Sequence, residues 1–287
     1  MNSSEDKEEE SEERPSRNII RGDDEMTFLE HLEELRFTLA RCIGAFAVGV
    51  IILAFFLPSL TDFLRMPFVW AQGASDPDML EGLFSRRPMG VFTVMLQVLF
   101  LGGLSCSLPF MLFALAQFVA PALTEKEKEV LVPALTVGFF LFLLGVAFAF
   151  FVILPAAFRV SIALNSMLGL ELLWSASEYY SLVVWLCVLM GALFEFPVVL
   201  VLLVHLGILT PEALRGQRKL VFIGILVLSA IITPTGDPIT LMIMTGPLYG
   251  LYEIAIWVGS KWKKKRSSDL EEEEEFDEDY FGEDDLD

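Results

Sequence analysis

The residues best able to do chemistry in this chain are carboxylates within or beside apolar stretches. Glu195 stands in Phe194-Glu195-Phe196-Pro197, inside a long apolar run that ends at His205. If that run is a transmembrane helix, Glu195 lies about 15 Å below the bilayer surface, where a charge costs at least about 2.5 kcal/mol. Two interpretations remain open: a group facing a water-filled cavity or substrate path, and a protonated or hydrogen-bonded structural carboxyl beside Pro197.

Other carboxylates lie where apolar stretches begin or end. Two groups flank the first three stretches: Glu30, Glu33 and Glu34, then Glu125, Glu127 and Glu129. Exposed carboxylates at helix ends are usually solvated, so residue type alone assigns them no ligand. Asp237 follows the fifth stretch in a segment typical of a turn. Glu253, within reach of Lys261 only if its helix end bends, is expected to be structural.

No catalytic or metal-binding pattern accompanies these carboxylates. Cys42, Cys106 and Cys187 each lie in an apolar stretch, which predicts small buried hydrophobic side chains. With His31 and His205 they form no cluster of zinc spacing, and neither a GxxxxGK[ST] phosphate loop nor a GxSxG elbow is present. The sequence therefore indicates no enzyme, no metal or other cofactor, and no nucleic-acid partner.

The apolar stretches predict an all-α integral membrane protein with six transmembrane helices. A bilayer core of about 30 Å needs about 20 apolar residues, and the backbone in lipid must bond to itself, which favours helices. The stretches are roughly 37–57, 89–120, 131–154, 179–206, 219–233 and 239–259. Pro109 predicts a kink in the second. The fifth rises only about 22 Å, so it must thin the bilayer or lie behind longer neighbours.

Charge patterning predicts the orientation and the domain boundaries. Lysines and arginines in short loops number twelve on one side and four on the other, so both termini are expected to face the cytoplasm. We expect a disordered acidic N-terminal tail over 1–25, a six-span membrane domain over 26–260, and a basic then acidic disordered tail over 261–287. Thr27 and Glu30 form a capping-box pattern, which predicts that the first helix begins near Phe28.

Five short motifs follow one another along these stretches. They are His31-Leu32-Glu33-Glu34-Leu35-Arg36, Phe118-Val119-Ala120-Pro121-Ala122-Leu123, Phe194-Glu195-Phe196-Pro197, Thr233-Pro234 through Asp237, and Pro247-Leu248-Tyr249 with Tyr252-Glu253-Ile254. Together they resemble the signatures of the TatC family over about residues 26–260. The resemblance implies a glove-like, concave six-helix bundle in the cytoplasmic (inner) membrane, acting as the receptor subunit of the twin-arginine protein translocase.

The resemblance also implies partners and an energy source. Such proteins move folded precursors across the membrane with the proton-motive force rather than ATP. Their partners are twin-arginine signal peptides, the single-span subunits TatA and TatB, further copies of the receptor and membrane lipid.

By motif position, the resemblance makes Glu34 and Glu127 the carboxylates that bind the arginine pair. A carboxylate accepts the planar fork of a guanidinium bidentately, and lysine cannot reproduce that geometry. Periodicity does not choose Glu34 over Glu33, and the alternating acids leave open whether Glu125 or Glu129 shares the role of Glu127.

The resemblance gives the remaining motif residues supporting roles. Arg36 and Phe118 would support the peptide site, and Glu195 would face the concave cavity within the membrane. The residues assigned to partner contacts or to structure are Thr233, Pro234, Asp237, Glu253 and Pro109.

Two other classes of protein fit these residues less well. A secondary transporter of a small solute could use Glu195 as a proton or ion site, but the chain shows no internal repeat of the kind those folds contain. An intramembrane protease is disfavoured because the GxSxG elbow is missing and His205 has no catalytic companion.

Overall fold

The computed structural model describes residues 28–73, 83–84, 89–120, 125–170, 174–233 and 236–281. The helices are α1 (Phe28–Phe55), α2 (Leu57–Gln72), α3 (Gly90–Val119), α4 (Glu125–Phe148), α5 (Leu154–Met167), α6 (Ala176–His205), α7 (Pro211–Gly216), α8 (Arg218–Ile232) and α9 (Pro238–Phe281). A π-helical segment, Ala149–Ile153, joins α4 to α5. Two-residue strands, β1 (Leu83–Phe84) and β2 (Trp174–Ser175), pair in parallel.

Within the described residues, five helical segments are long and apolar enough to cross a membrane. They are Leu32–Phe55, Gly90–Phe118, Val130–Met167, Ala176–His205 and Pro238–Lys263. The remaining predicted span corresponds to α8, whose 15 residues rise about 22 Å, less than the bilayer core. The prediction of an all-α integral membrane protein is confirmed, and five of the predicted spans have the length to cross.

Two helical segments extend further than the sequence predicted. The third span, expected to end near residue 154, continues through the π-helical segment and α5 to Met167. Helix α9 continues to Phe281, so the structure differs from the predicted disordered tail, which began at residue 261. Glu, Lys and Leu in that tail are strong helix formers, and neither Gly nor Pro interrupts them before Phe281. The predicted N-terminal tail, 1–25, lies outside the described residues.

Helix α6 is the centre of the bundle. Helices α3, α4 and α9 all pack against it, while α1 packs on α3 and α8 packs on α9. Tyr179, Val183, Met190 and Phe194 lie along α6 and are each at most 3% exposed. An almost uniformly apolar helix that contacts three neighbours is expected to be buried on most of its surface.

Glycines let neighbouring helices approach at backbone distance. A Cβ atom on Gly49 of α1 would lie 2.8 Å from the carbonyl oxygen of Gly103 on α3. A Cβ atom on Gly145 of α4 would lie 2.6 Å from the carbonyl oxygen of Met190 on α6. Lipid is as apolar as leucine, so helices in a membrane associate mainly through such close packing. These two contacts therefore fix α1 against α3 and α4 against α6.

Two tyrosines fasten α2 to the first turn of α6. The Tyr179 hydroxyl donates to the Leu64 carbonyl at 2.7 Å, and the Arg65 Nε donates to the Tyr180 hydroxyl at 2.7 Å. Helix α2 lies in the loop between the first two predicted spans. These bonds tie that loop to the bundle, so α2 is a fixed cap over this end of the helices.

We predict that Gly49→Ala destabilises the protein, whereas Gly44→Ala on the same helix does not. The added methyl at 49 meets backbone, which can yield only by separating α1 from α3, at a cost of about 1–3 kcal/mol. At Gly44 nothing lies within 4 Å, so alanine should stabilise the helix by roughly 0.5–1 kcal/mol. Thermal unfolding of the two variants in detergent measures the difference. Equal midpoints would contradict the close approach of α1 and α3.

Candidate functional site

The structure distinguishes Glu34 from its neighbour Glu33. Glu33 is exposed, whereas Glu34 is half-buried and its Oε2 is buried without a hydrogen-bond partner among the described residues. One turn further, Thr38 is 4% exposed, and the same stripe of α1 faces α3. Glu34 therefore brings one buried carboxylate oxygen to the stripe of α1 that faces α3, and no described group donates to that oxygen.

The end of α3 lies beside this part of α1. Arg41 Nη1 donates to Gln117 Oε1 at 3.3 Å, which joins α1 to the last turn of α3. Phe118 follows Gln117 and is half-buried. Glu34 precedes Arg41 by two helical turns on the same face, so Glu34 and Phe118 occupy the same end of the bundle.

Two other predicted site residues, Arg36 and Glu127, make no contact with Glu34 in the described part of the structure. Arg36 is exposed and lies about 200° around α1 from Glu34. Glu127 is in the first turns of α4, but its side chain lies outside the described residues, as do those of Glu125 and Glu129. Acidic residues in the first turn of a helix complement its dipole, which accounts for three carboxylates at this position without a ligand.

Glu195 lies at the interface of α6 with α4. A Cβ atom on Gly138 would be 2.7 Å from Glu195 Oε2, so the carboxyl group occupies space that a larger residue at 138 would fill. The Glu195 Oε1 is buried and has no hydrogen-bond partner in the described part of the chain. Glycine at 138 thus makes room for the one carboxyl group that the sequence placed deep in the bundle.

An apolar cavity lies elsewhere along the bundle. A cavity of about 370 Å³ opens between α1, α2, α3, α4 and α6, and Glu195 does not line it. Its walls include Phe63, Val98 and Phe150 together with two thiols, Cys106 and Cys187. Such a lining suits an apolar occupant and leaves the prediction that Glu195 faces a polar cavity untested.

Asp237 caps α9, and Thr233 ends α8. The Asp237 Oδ1 accepts the Thr240 N–H at 2.7 Å, with Pro238 in the first position of the helix, as a helix N-cap requires. The Thr233 N–H donates to the Ser229 carbonyl at 2.9 Å. Pro234 lies outside the described residues. The turn interpretation of Asp237 is therefore supported, in the form of a helix cap.

Glu253 links α9 to α8. Arg218 Nη2 donates to Glu253 Oε2 at 2.7 Å, and the Tyr249 hydroxyl donates to Glu253 Oε1 at 2.9 Å. Lys261, considered from the sequence as a partner, lies instead over the Trp257 ring, 3.9 Å from its centroid. The structural interpretation of Glu253 agrees with these contacts. The sequence did not identify Arg218, because the pairing joins two different helices.

Pro109 is half-buried within α3, which continues to Val119. Proline has no N–H, so the Ser105 carbonyl loses its intrahelical donor at this point. Among the described residues, no group of three His, Cys, Asp or Glu side chains could hold a metal ion. The candidate site is thus a set of carboxylates placed at helix ends and helix interfaces.

These features define the class of the molecule: a multi-pass helical membrane protein with carboxylates at a helix seam and at a helix interface. The chain matches the family model described as Sec-independent protein translocase protein (TatC) over residues 30–247.

Individual relatives are similar in sequence to this chain over most of their length. The TatC protein of Synechocystis sp. is 33% identical over 230 residues, 80% of this chain and 86% of that protein. That of Aquifex aeolicus is 33% identical over 243 residues, 84% of this chain and 98% of that protein. A crystal structure of the twin-arginine translocase receptor TatC has a TM-score of 0.69 at 32% identity, and the match covers 82% of this chain and 100% of that one.

The chain therefore belongs to the TatC family, as the motifs predicted. It is a subunit of a protein translocase, a transport component rather than an enzyme, and a multi-pass protein of the cytoplasmic membrane.

We predict that Asp237→Ala lowers stability by about 1 kcal/mol, because α9 loses its cap. Asp237→Asn keeps an acceptor oxygen and should remain close to the parent protein. Thermal unfolding in detergent measures stability, and hydrogen exchange at the Thr240 amide reports the cap directly. An unchanged Thr240 exchange rate in Asp237→Ala would rule out this role.

Proposed function

We propose that this protein is the receptor for twin-arginine signal peptides in the Tat translocase. In this proposal it works with TatA and TatB, associates with further copies of itself, and exports folded proteins by means of the proton-motive force. The relative of known structure is described as a twin-arginine translocase receptor, and its length is fully covered by this chain.

The observation that carries the proposal is the carboxylate of Glu34. A buried acceptor without a donor is unfavourable by about 1–3 kcal/mol, and by more when charged, so a ligand that supplied a donor would remove that cost. A guanidinium supplies five donors in a rigid plane and keeps its charge at any physiological pH. Glu34 at the α1–α3 seam is therefore suited to an arginine side chain from outside the molecule.

A pair of arginines requires a second acceptor close to the first. Glu127 is our candidate, because it lies in the first turns of α4, which begins only five residues after Ala120 at the end of α3. We assign Phe118 to packing against the bound peptide beside this pair. Arg36 is exposed on another face of α1. We assign it to anchoring α1 at the membrane–water interface through its charge.

The proposed receptor has six spans and both termini in the cytoplasm. Helix α8 is the short span: it packs on α9 and is joined to it by Arg218 and Glu253. A 15-residue helix can cross where the bilayer thins beside a longer partner. In this orientation Glu34 and the α4 N-terminus face the cytoplasm, where precursors arrive.

Deeper in the membrane, we propose that Glu195 interacts with a translocating segment or a partner subunit. Its Oε1, buried and without a described partner, supports that role, because unpaired polar groups in hydrocarbon are costly. The α8–α9 connection, with Thr233, Pro234 and Asp237, is our candidate contact for the single-span subunits.

We predict that Glu34→Gln weakens binding of a twin-arginine peptide by at least about tenfold, since one charge-assisted hydrogen bond is worth about 1.5–3 kcal/mol. Glu33→Gln is the matched control: it removes an equal charge from the neighbouring exposed position and should change affinity little. Fluorescence anisotropy with a labelled peptide in detergent measures both.

Arginine-to-lysine replacement in the peptide completes the test. The parent receptor should discriminate against the twin-lysine peptide, and Glu34→Gln should lose most of that discrimination. If both receptors bind the two peptides alike, the assignment of Glu34 as an arginine acceptor is wrong.

A further inference from the structure

A second candidate site lies at the end of the bundle away from Glu34. A cleft of about 380 Å³ opens between α2 and the π-helical segment with α5. Its lining residues are Trp70, Phe151, Val152, Pro155, Ala156 and Arg159. The lining combines aromatic and aliphatic groups with one cation, and none of the six residues is acidic.

The depth of this cleft follows from helix geometry. The charged run of α4 ends at Glu129, and the apolar run begins at Val130. Phe151 is 21 residues further, or about 31 Å along the axis, which is close to the thickness of the hydrocarbon core. Arg159 is about 12 Å beyond Phe151. Side chains lean towards the N-terminus of their helix, so the guanidinium reaches back towards the headgroup region.

The backbone on one side of the cleft departs from a regular α-helix. Ala149–Ile153 is π-helical, and Pro155 follows it without an N–H to offer the Phe151 carbonyl. Single π-helical turns occur frequently at functional sites, because they alter the direction in which side chains project. Here the irregular turn presents Phe151 and Val152, which are 55% and 41% exposed, to the cleft.

The cation is held in place before any ligand binds. Arg159 Nη2 donates to the Trp70 carbonyl at 3.3 Å, which leaves the other guanidinium donors available. The Trp70 ring stacks on Phe151 with centroids 5.6 Å apart and an interplanar angle of 24°. It also meets Phe150 edge-on at 5.9 Å. The aromatic wall and the guanidinium are thus positioned relative to each other.

We propose that this cleft binds an anionic glycerophospholipid, with its phosphate on Arg159 and an acyl chain along Phe151 and Val152. Guanidinium groups bind phosphate through paired N–H donors, and a tryptophan at the membrane interface accommodates a headgroup beside hydrocarbon. A zwitterionic headgroup would bring an ammonium group to a lining without a carboxylate to receive it. An anionic headgroup matches the single positive charge.

The test titrates the full chain in detergent with phosphatidylglycerol and counts bound lipids by native mass spectrometry. One phosphatidylglycerol should bind more tightly than the rest, and Arg159→Gln should weaken that binding by about fivefold, the effect of one basic residue near an anionic lipid. Arg159→Lys, which keeps the charge but not the fork, should fall between. Lys219→Gln, at the opposite end, should leave lipid binding unchanged.

A second variant keeps the proposal testable if Arg159→Gln disturbs folding. Ala156→Phe fills the cleft without changing charge, and it should also remove the tight phosphatidylglycerol. Three outcomes would overturn the proposal: phosphatidylcholine binding as tightly as phosphatidylglycerol, inorganic phosphate competing at equal concentration, or phosphatidylglycerol remaining bound to Arg159→Gln and Ala156→Phe.

Discussion

Close backbone approach between helices is the constraint on which this structure depends. Inside a bilayer, apolar side chains gain nothing by leaving lipid for protein, so packing must supply the attraction. Gly49 meets Gly103 across the α1–α3 seam, and Gly145 meets the Met190 carbonyl across the α4–α6 seam. Two of the carboxylates that we propose to be functional lie on these seams: Glu34 on the first and Glu195 on the second. The glycines therefore set the helix packing that positions these two carboxylates.

The two carboxylates differ in what their surroundings permit. Glu34 is near a helix terminus, so a soluble cationic segment can reach it from the aqueous side. Glu195 is in the middle of α6 with Gly138 beneath its carboxyl group, and only a group already within the membrane can approach it. If both carboxylates act as we propose, one would meet a precursor at the membrane surface and the other within the membrane.

Several of these features could be predicted from the sequence. The apolar runs predicted the helices, because a run of about 20 apolar residues that crosses a bilayer must bond its backbone to itself and so forms a helix. The start of α1 at Phe28 agrees with its capping pattern, and Asp237 behaves as a turn residue does. These features are local: each depends on residues within a few positions of one another.

What the sequence could not provide depends on contacts between distant segments. Arg218 pairs with Glu253 across 35 residues, and Gly138 faces Glu195 across 57 positions of chain, so no periodicity reveals either. Glu33 and Glu34 are equivalent by composition, and only the packing of the folded protein makes Glu34 half-buried. The helical end of α9 was missed for another reason: a charged composition indicates solvation, yet the same Glu and Lys residues have high helix propensity.

The length of α9 has a geometric consequence for the acidic C-terminal segment. From Lys263 to Phe281 the helix advances about 27 Å. A continuous helix prevents the acidic residues from Glu272 onwards from bending back onto the basic residues that precede them. These residues lie about 9 Å or more along the axis from Arg266, beyond the roughly 8 Å over which charges act in physiological salt. Most of the negative charge in this segment is thereby held away from the basic residues at 261–266.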